Sequence, residues 1–330
     1  LHQAIMSSPE FAGRVAVPEP IPELTGGNVV GMEYLPGLQL ELVLRRRLEA
    51  LGVDLRGKSL SEWATAKQQQ EGGLGKLEGS HPVPEPGALP PGDGEGAGAS
   101  PVGGLGATMR HVALRLFGID LILRAVRAWA DIRLYFARRP SSERLVATED
   151  LRRTLQLVLD VHGFQLFFCP FFNGDPHPGN ILLLPDGRVG LIDFGQCKSL
   201  SRDERAGIAE LLLAVSEPAD APGNAGRVAE AFLATGVKTE KSDERFCSLM
   251  PRLMFCSLQG EWLDRDNLRE VLRGDKFVNM PTHLLMAYRS AMLLRGLCLV
   301  LQENVSVADA WRPYAERWLR EDAAAAAAPA

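Results

Sequence analysis

The stretch FFNGDPHPGNILLLPDGRVGLIDFG, Phe171–Gly195, sets Asp175, Asn180 and Asp193 at the edges of apolar runs. Within it, ILLL and RVGLI are joined by Pro185-Asp186-Gly187, turn residues that predict a β-hairpin. Asn180 stands just before the first strand and Asp193 just after the second. Both ends of a hairpin lie at one edge, so the two side chains can converge, with Asp175 in the loop that enters it. Three oxygen-bearing side chains in one place suit a hard cation that bridges phosphates. The plainer alternative is that they only satisfy turns.

The surrounding chain is that of an ordinary globular protein. It has 330 residues, 46% apolar and 23% charged, enough for a large core. A formal charge of −5 gives no reason to expect nucleic acid as a partner. Cys169, Cys197, Cys247, Cys256 and Cys298 form no C-x-x-C pair and read as reduced, mostly buried thiols rather than a zinc site or a disulfide framework. The most apolar long segment, LLMAYRSAMLLRGLCLVLQ, carries Arg289 and Arg295, which argues for a core helix over a bilayer helix. The start, LHQAIMSSPEF, has neither an initiator Met nor a signal-peptide pattern and reads as the interior of a longer protein.

Between Gly72 and Gly106 lie twelve glycines and six prolines, so residues 67–107 are expected to be a disordered insert. The tail AAAAAAPA is expected to be unstructured as well. Upstream, NVVGMEYL reads as an apolar strand stopped by Pro36-Gly37, followed by a helix, LQLELVLRRRLEALG, that ends at Gly52. The segment TMRHVALRLFGIDLILRAVRAWADIRLYFARR reads as a long helix. Thr148 could cap the next one, EDLRRTLQLVLDVHG, with Leu151, Leu155 and Val158 on one face and Gly163 as its stop. Ser201 and Glu204 make a capping box for RDERAGIAELLLAV. Further helices are expected at about 224–235, 243–257, 266–273, 281–302 and 307–320, with Pro281 and Ser306 at two of the starts.

D-x4-N followed thirteen residues later by D-F-G matches the catalytic loop and metal-binding motif of protein-kinase-like enzymes. All five letters at that spacing should arise by chance on the order of once in ten thousand chains of this length. The wording DPHPGN is more specific, and the whole stretch resembles the UbiB, or aarF-domain-containing, atypical kinase family. LLMAYRSAMLLRGLCLVL is similar to that family's C-terminal helix. The resemblance covers roughly 1–40 and 108–320.

The resemblance implies an α/β (α+β) protein-kinase-like fold: a mostly helical C-lobe with a short catalytic hairpin and a residual hinge strand. Residues 1–37 would be the end of the N-lobe and hinge, 38–66 the first C-lobe helix, 108–320 the rest of the C-lobe and 321–330 a tail. Asp175 would be the catalytic aspartate, Asn180 and Asp193 the magnesium ligands, and Gly195 the residue that lets the following loop turn. Met32 would be the gatekeeper, with the backbones of Glu33 and Leu35 facing adenine; an ordinary buried β-segment is the alternative for that strand. His177 either touches a terminal phosphate or packs in the turn that Pro176 and Pro178 fix. Asn173 takes the place of the His of H-R-D. Cys197 is read as a packing thiol more readily than as a redox switch.

The implied cofactors are ATP and Mg2+, and the implied partners are a nucleotide and a small-molecule or lipid substrate, with peripheral membrane association. The implied setting is isoprenoid quinone or lipid metabolism in a mitochondrion or plastid. Only Gln196–Leu200 separate D-F-G from the capped helix, too few residues for the peptide platform of protein kinases, so a small acceptor or water is expected. No V-A-I-K lysine or nucleotide-covering loop precedes Met32, so the chain by itself is expected to bind nucleotide poorly. Two other readings remain open. One is a small-molecule phosphotransferase of the aminoglycoside or choline kinase kind; the other is an inactive pseudokinase scaffold.

Overall fold

The computed structural model of the protein describes residues 1–50, 149–257, 265–301 and 303–327. The Gly/Pro-rich insert, the helix expected over 108–139 and the Thr148 cap fall outside the described residues. The elements in chain order are α1 (His2–Met6), β1 (Val15–Ala16), β2 (Leu38–Gln39), α2 (Leu40–Ala50), α3 (Glu149–Phe168), β3 (Phe172–Asn173), β4 (Ile181–Leu183) and β5 (Val189–Leu191). They continue with β6 (Cys197–Lys198), α4 (Arg202–Ser216), α5 (Asn224–Ala234), β7 (Lys238–Thr239), α6 (Glu244–Phe255), α7 (Arg265–Gly274), β8 (Phe277–Asn279), α8 (Thr282–Val300) and α9 (Val307–Ala327). Mostly helical with small sheets, this is the coarse architecture that the sequence predicts.

The hairpin forms where expected. β4 and β5 pair antiparallel, Ile181 opposite Leu191 and Leu183 opposite Val189. Gly187 turns the chain at φ +85°, a left-handed backbone that glycine adopts without steric cost. β1 adds in parallel to β5 and β2 antiparallel to β4, giving one four-stranded sheet. Leu35, Leu182, Leu184 and Ala16 form a small core of their own on it.

The strand expected over NVVGMEYL is not a regular strand. Residues 19–33 make a loose ribbon with isolated bridges, Pro20 to Met32 and Gly26 to Val29. Val29 and Val30 are each 64% exposed and Tyr34 83%. Apolar composition alone therefore misled the expectation, because only Leu35 at the end of this segment is buried among the described residues.

α3 is the axis of the helical body. It does not stop at Gly163 but runs through to Phe168. A helix interior normally disfavours glycine by about 1 kcal/mol relative to alanine. Here the missing side chain makes room: a Cβ on Gly163 would lie 2.7 Å from the Trp311 ring and 2.8 Å from that of Tyr314. The Trp311 indole N–H donates to the Leu159 carbonyl at 3.0 Å, so α9 docks into the notch. α9 also overruns its expected end and continues through Ala327. Alanine propagates an existing helix better than any other residue, and Arg202 pins this turn with two bonds to Asp322 at 2.6 and 2.8 Å.

The capping box of α4 is present as read: Ser201 Oγ accepts from Glu204 N at 3.1 Å and Glu204 accepts from Ser201 N at 2.9 Å. The C-terminal ends use another device. Arg205 of α4 donates to the Phe167 and Cys169 carbonyls where α3 ends. Arg252 of α6 donates to Val215 and Glu217 where α4 ends. Arg295 of α8 donates to Leu253 and Cys256 where α6 ends. The last carbonyls of a helix have no partner within it, and each of these guanidiniums supplies one from a later helix.

His162 lies inside α3, 3% exposed, with Nδ1 bonded to the Val158 carbonyl at 2.7 Å. Burial lowers its pKa from 6.5 to about 4. Between those values the unfolded chain binds more protons than the folded one, so stability falls as pH drops below 6.5. The loss by pH 5 should be about 2 kcal/mol. Urea melts at pH 7.5 and 5 check this, and His162→Gln should flatten the difference.

Candidate active site

The hairpin brings Asn180 and Asp193 together: Asn180 Nδ2 donates to Asp193 Oδ2 at 3.1 Å. Asp193 Oδ1 accepts from Gly195 N at 2.8 Å, which holds the carboxylate against its own turn. Gly195 is not in the left-handed region, so the turn does not draw on glycine's conformational freedom. What it needs there is space, since a Cβ would sit 3.2 Å from Asp193 Oδ1.

Asn173 ties the catalytic loop to the hairpin. Buried at 4% exposure, it donates from Nδ2 to the Asp193 carbonyl at 2.9 Å and accepts from Asp175 N at the same distance. Its own N–H donates to the side chain of Gln165, fully buried on α3, at 3.0 Å. The residue that stands where protein kinases carry histidine is thus the bracket that sets Asp175 relative to Asp193.

Asp175 is not a free carboxylate beside the other two. Its Oδ2 accepts from Gln196 Nε2 at 2.9 Å and from Arg289 Nη2 at 3.0 Å. Arg289 donates through Nη1 to Gln196 Oε1, which closes a ring of three side chains. Neither Arg289 nor Gln196 stood out in the sequence as a site residue. Arg289 lies 114 positions from Asp175, too far for any local pattern to reveal.

α8 buttresses the whole loop. Ser290 Oγ donates to the Asn173 carbonyl at 3.0 Å. A Cβ on Gly174 would come within 2.1 Å of the Met286 methyl and 3.1 Å of the Gln196 carbonyl, so α8 and the loop pack closely here. α8 is long and apolar enough to cross a membrane by length and composition. In this fold it is a core helix whose two arginines are both engaged.

Of the two readings for His177, the structure displays the turn. Its Nδ1 accepts from Gly179 N at 3.1 Å, capping the short 3-10 turn Pro178–Asn180. β3 pairs with β6, setting Asn173 opposite Cys197, and Gly174 N donates to the Gln196 carbonyl at 2.8 Å. The five residues after D-F-G thus fold straight back onto the strand before Asp175. Burial pushes the Cys197 thiol up, which favours its packing role. All five cysteines are free, as expected.

The hinge residues do not gather here in the way that the sequence predicts. Met32 is 43% exposed. Glu33 N is spent on the Glu19 carbonyl at 2.9 Å. Leu35 is 8% exposed, its side chain in the small core under the hairpin.

Among the described residues no group of three or more His, Cys, Asp or Glu could hold a metal. Mg2+ needs no such cage, because it keeps several waters and takes one or two protein oxygens. Asp193 supplies a carboxylate, and the Asn180 amide, turned over about its own axis, presents an oxygen beside it. The donor set fits.

Comparison with known proteins finds similarity to one family. Residues 143–221 match the model of the ABC1 atypical kinase-like domain. The chain is 27% identical over 183 residues to the protein named activity of bc1 complex kinase 1, chloroplastic, of Arabidopsis thaliana, covering 50% of this chain and 26% of that protein. It is 25% identical over 166 residues to an uncharacterised aarF domain-containing protein kinase, chloroplastic, of the same plant, covering 48% and 23%. An uncharacterised Synechocystis protein is 39% identical over 77 residues, covering 23% and 19%. The matched part of the chain spans about a quarter of the length of these relatives.

Proposed function

We infer that this chain, a member of the aarF-domain (UbiB, or ABC1) atypical kinase family, is the catalytic-loop half of an ATP- and magnesium-dependent kinase or ATPase. The observation that carries the reading is the meeting of Asn180 and Asp193 at the hairpin's edge, 3.1 Å apart, with Asp175 bracketed to them through Asn173. Asn180 and Asp193 would hold the magnesium ion, whose charge bridges and neutralises the phosphates when it is bound. Asp175 accepts the proton of the attacking hydroxyl or water. Met32, Glu33 and Leu35 would face adenine only once their segment re-forms, since Glu33 N is bonded to the Glu19 carbonyl, and Gly195 keeps the Asp193 carboxylate uncrowded. His177 keeps Nε2 available for a terminal phosphate while Nδ1 shapes the turn.

The short return from D-F-G into β6 and α4 supports a small acceptor over a protein substrate. A lipid or isoprenoid quinone precursor fits that reading, with peripheral membrane association, and the names of two relatives favour a plastid setting. In this scheme residues 1–37 close the N-lobe side, 38–66 begin the C-lobe, 67–107 are an insert and 108–320 complete the C-lobe. The exposed ribbon around Met32 favours one second reading, a scaffold that docks a partner there without turnover.

Melting curves of the full-length protein separate the two. A nucleotide at a hundred times its Kd stabilises the folded state by about 2.7 kcal/mol, a rise in Tm of several degrees. The rise should require Mg2+ and vanish in Asp193→Asn. An equal rise in both proteins, or none in either, removes the phosphotransfer reading.

A further inference from the structure

Two side chains from separate parts of the chain close on one carboxylate oxygen. Arg289 Nη2 and Gln196 Nε2 both donate to Asp175 Oδ2, at 3.0 and 2.9 Å, and Arg289 and Gln196 bond to each other. Asp175 Oδ1 has no hydrogen bond among the described residues. The arginine is 32% exposed and the aspartate 20%, so the pair is partly shielded from solvent. Arg289 is itself fixed from below: Ser290 next to it bonds the Asn173 carbonyl, and Met286 one turn earlier lies against Gly174.

We propose that Arg289 is a positioning residue for Asp175, with Gln196 as its second arm. The two donors fix the carboxylate's rotation, so that Oδ1 is the lobe that faces the attacking hydroxyl or water and takes its proton. A carboxylate that rotates freely presents either oxygen in many directions. A base held in one direction keeps the attack geometry, and misplacement by about 1 Å can cost roughly a hundredfold in rate. The guanidinium suits the task because its planar fork reaches the carboxylate and the amide together, whereas a lysine ammonium is a flexible point charge. The assignment rests on the phosphotransfer reading above, and it gives α8 a part in the chemistry 114 residues from the loop that it serves.

The test is steady-state ATP turnover by the full-length protein, comparing Arg289→Met, Arg289→Lys and Gln196→Leu with the unsubstituted chain. Arg289→Met should lower kcat by about 10- to 100-fold, with KM for Mg-ATP within about twofold because Asn180 and Asp193 are untouched. Arg289→Lys should recover part of the loss, and Gln196→Leu should lose about threefold to tenfold. Amide exchange over residues 174–177 should quicken in Arg289→Met while the β4–β5 hairpin stays protected. Should Arg289→Met fail to fold, Gln196→Leu leaves α8 intact and reads the same oxygen.

An unchanged kcat in the folded variants, or a raised KM with kcat kept, overturns the positioning role and leaves the phosphotransfer reading standing. Absence of magnesium-dependent turnover in the unsubstituted protein overturns both.

Discussion

Asp175→Asn should lower kcat for ATP turnover by about 10²- to 10⁴-fold, the usual worth of a positioned general base. The full-length variant should still gain Mg-ATP-dependent thermal stability. An asparagine has the same shape, and its oxygen can accept from Gln196 and Arg289 as the carboxylate does. The substitution therefore removes basicity and charge while leaving the loop in place. Asp193→Asn should do the opposite and lose the nucleotide-dependent rise itself. A kcat for Asp175→Asn within about threefold of the original would deny Asp175 its role as base. Loss of both turnover and binding would place Asp175 among the phosphate or metal contacts instead.

The second large effect is on stability. Arg295→Met should destabilise the fold by about 4 kcal/mol, since two hydrogen bonds from a charged donor are lost at ~1.5–3 kcal/mol each. Relief from holding a charge in the interior offsets part of that. Arg295 is 3% exposed and serves the Leu253 and Cys256 carbonyls at 3.0 and 2.8 Å, the first of these bonds fully buried. Methionine fills much of the arginine's volume, so the loss reports on the abandoned carbonyls rather than on a void. Urea unfolding at pH 7.5 measures it. A change under 1 kcal/mol would mean that the end of α6 finds other partners when Arg295 is gone.

Much of the site was legible because its signals are local. The Pro-Asp-Gly turn, the apolar runs on either side of it and the polar residues at both ends lie within one hairpin, and the chain folds as that pattern asks. The capping box at Ser201 was readable for the same reason: its two bonds span three residues. Gly163 shows where local reading fails. A glycine after an amphipathic run is a stop signal, and only Trp311 on α9 reveals it as a notch for a neighbour. The apolar NVVGMEYL segment looked like a buried strand because apolarity marks what wants cover, not what has it. Asp175 was found by its motif, but its clamp by Arg289 depends on how α8 crosses the loop, which no spacing encodes. The alanine run failed by composition: low complexity suggested disorder, yet alanine extends a helix that tertiary contacts have already started.

The three guanidiniums that finish α3, α4 and α6 each come from a segment made later than the helix that they complete. As the polypeptide leaves the ribosome, every one of these termini emerges raw and stays so until a more C-terminal stretch arrives. A nascent chain stopped before Arg252 leaves α4 open, and one stopped before Arg295 leaves α6 open. Emergence of α8, not of α6 itself, sets when the end of α6 finds its partner.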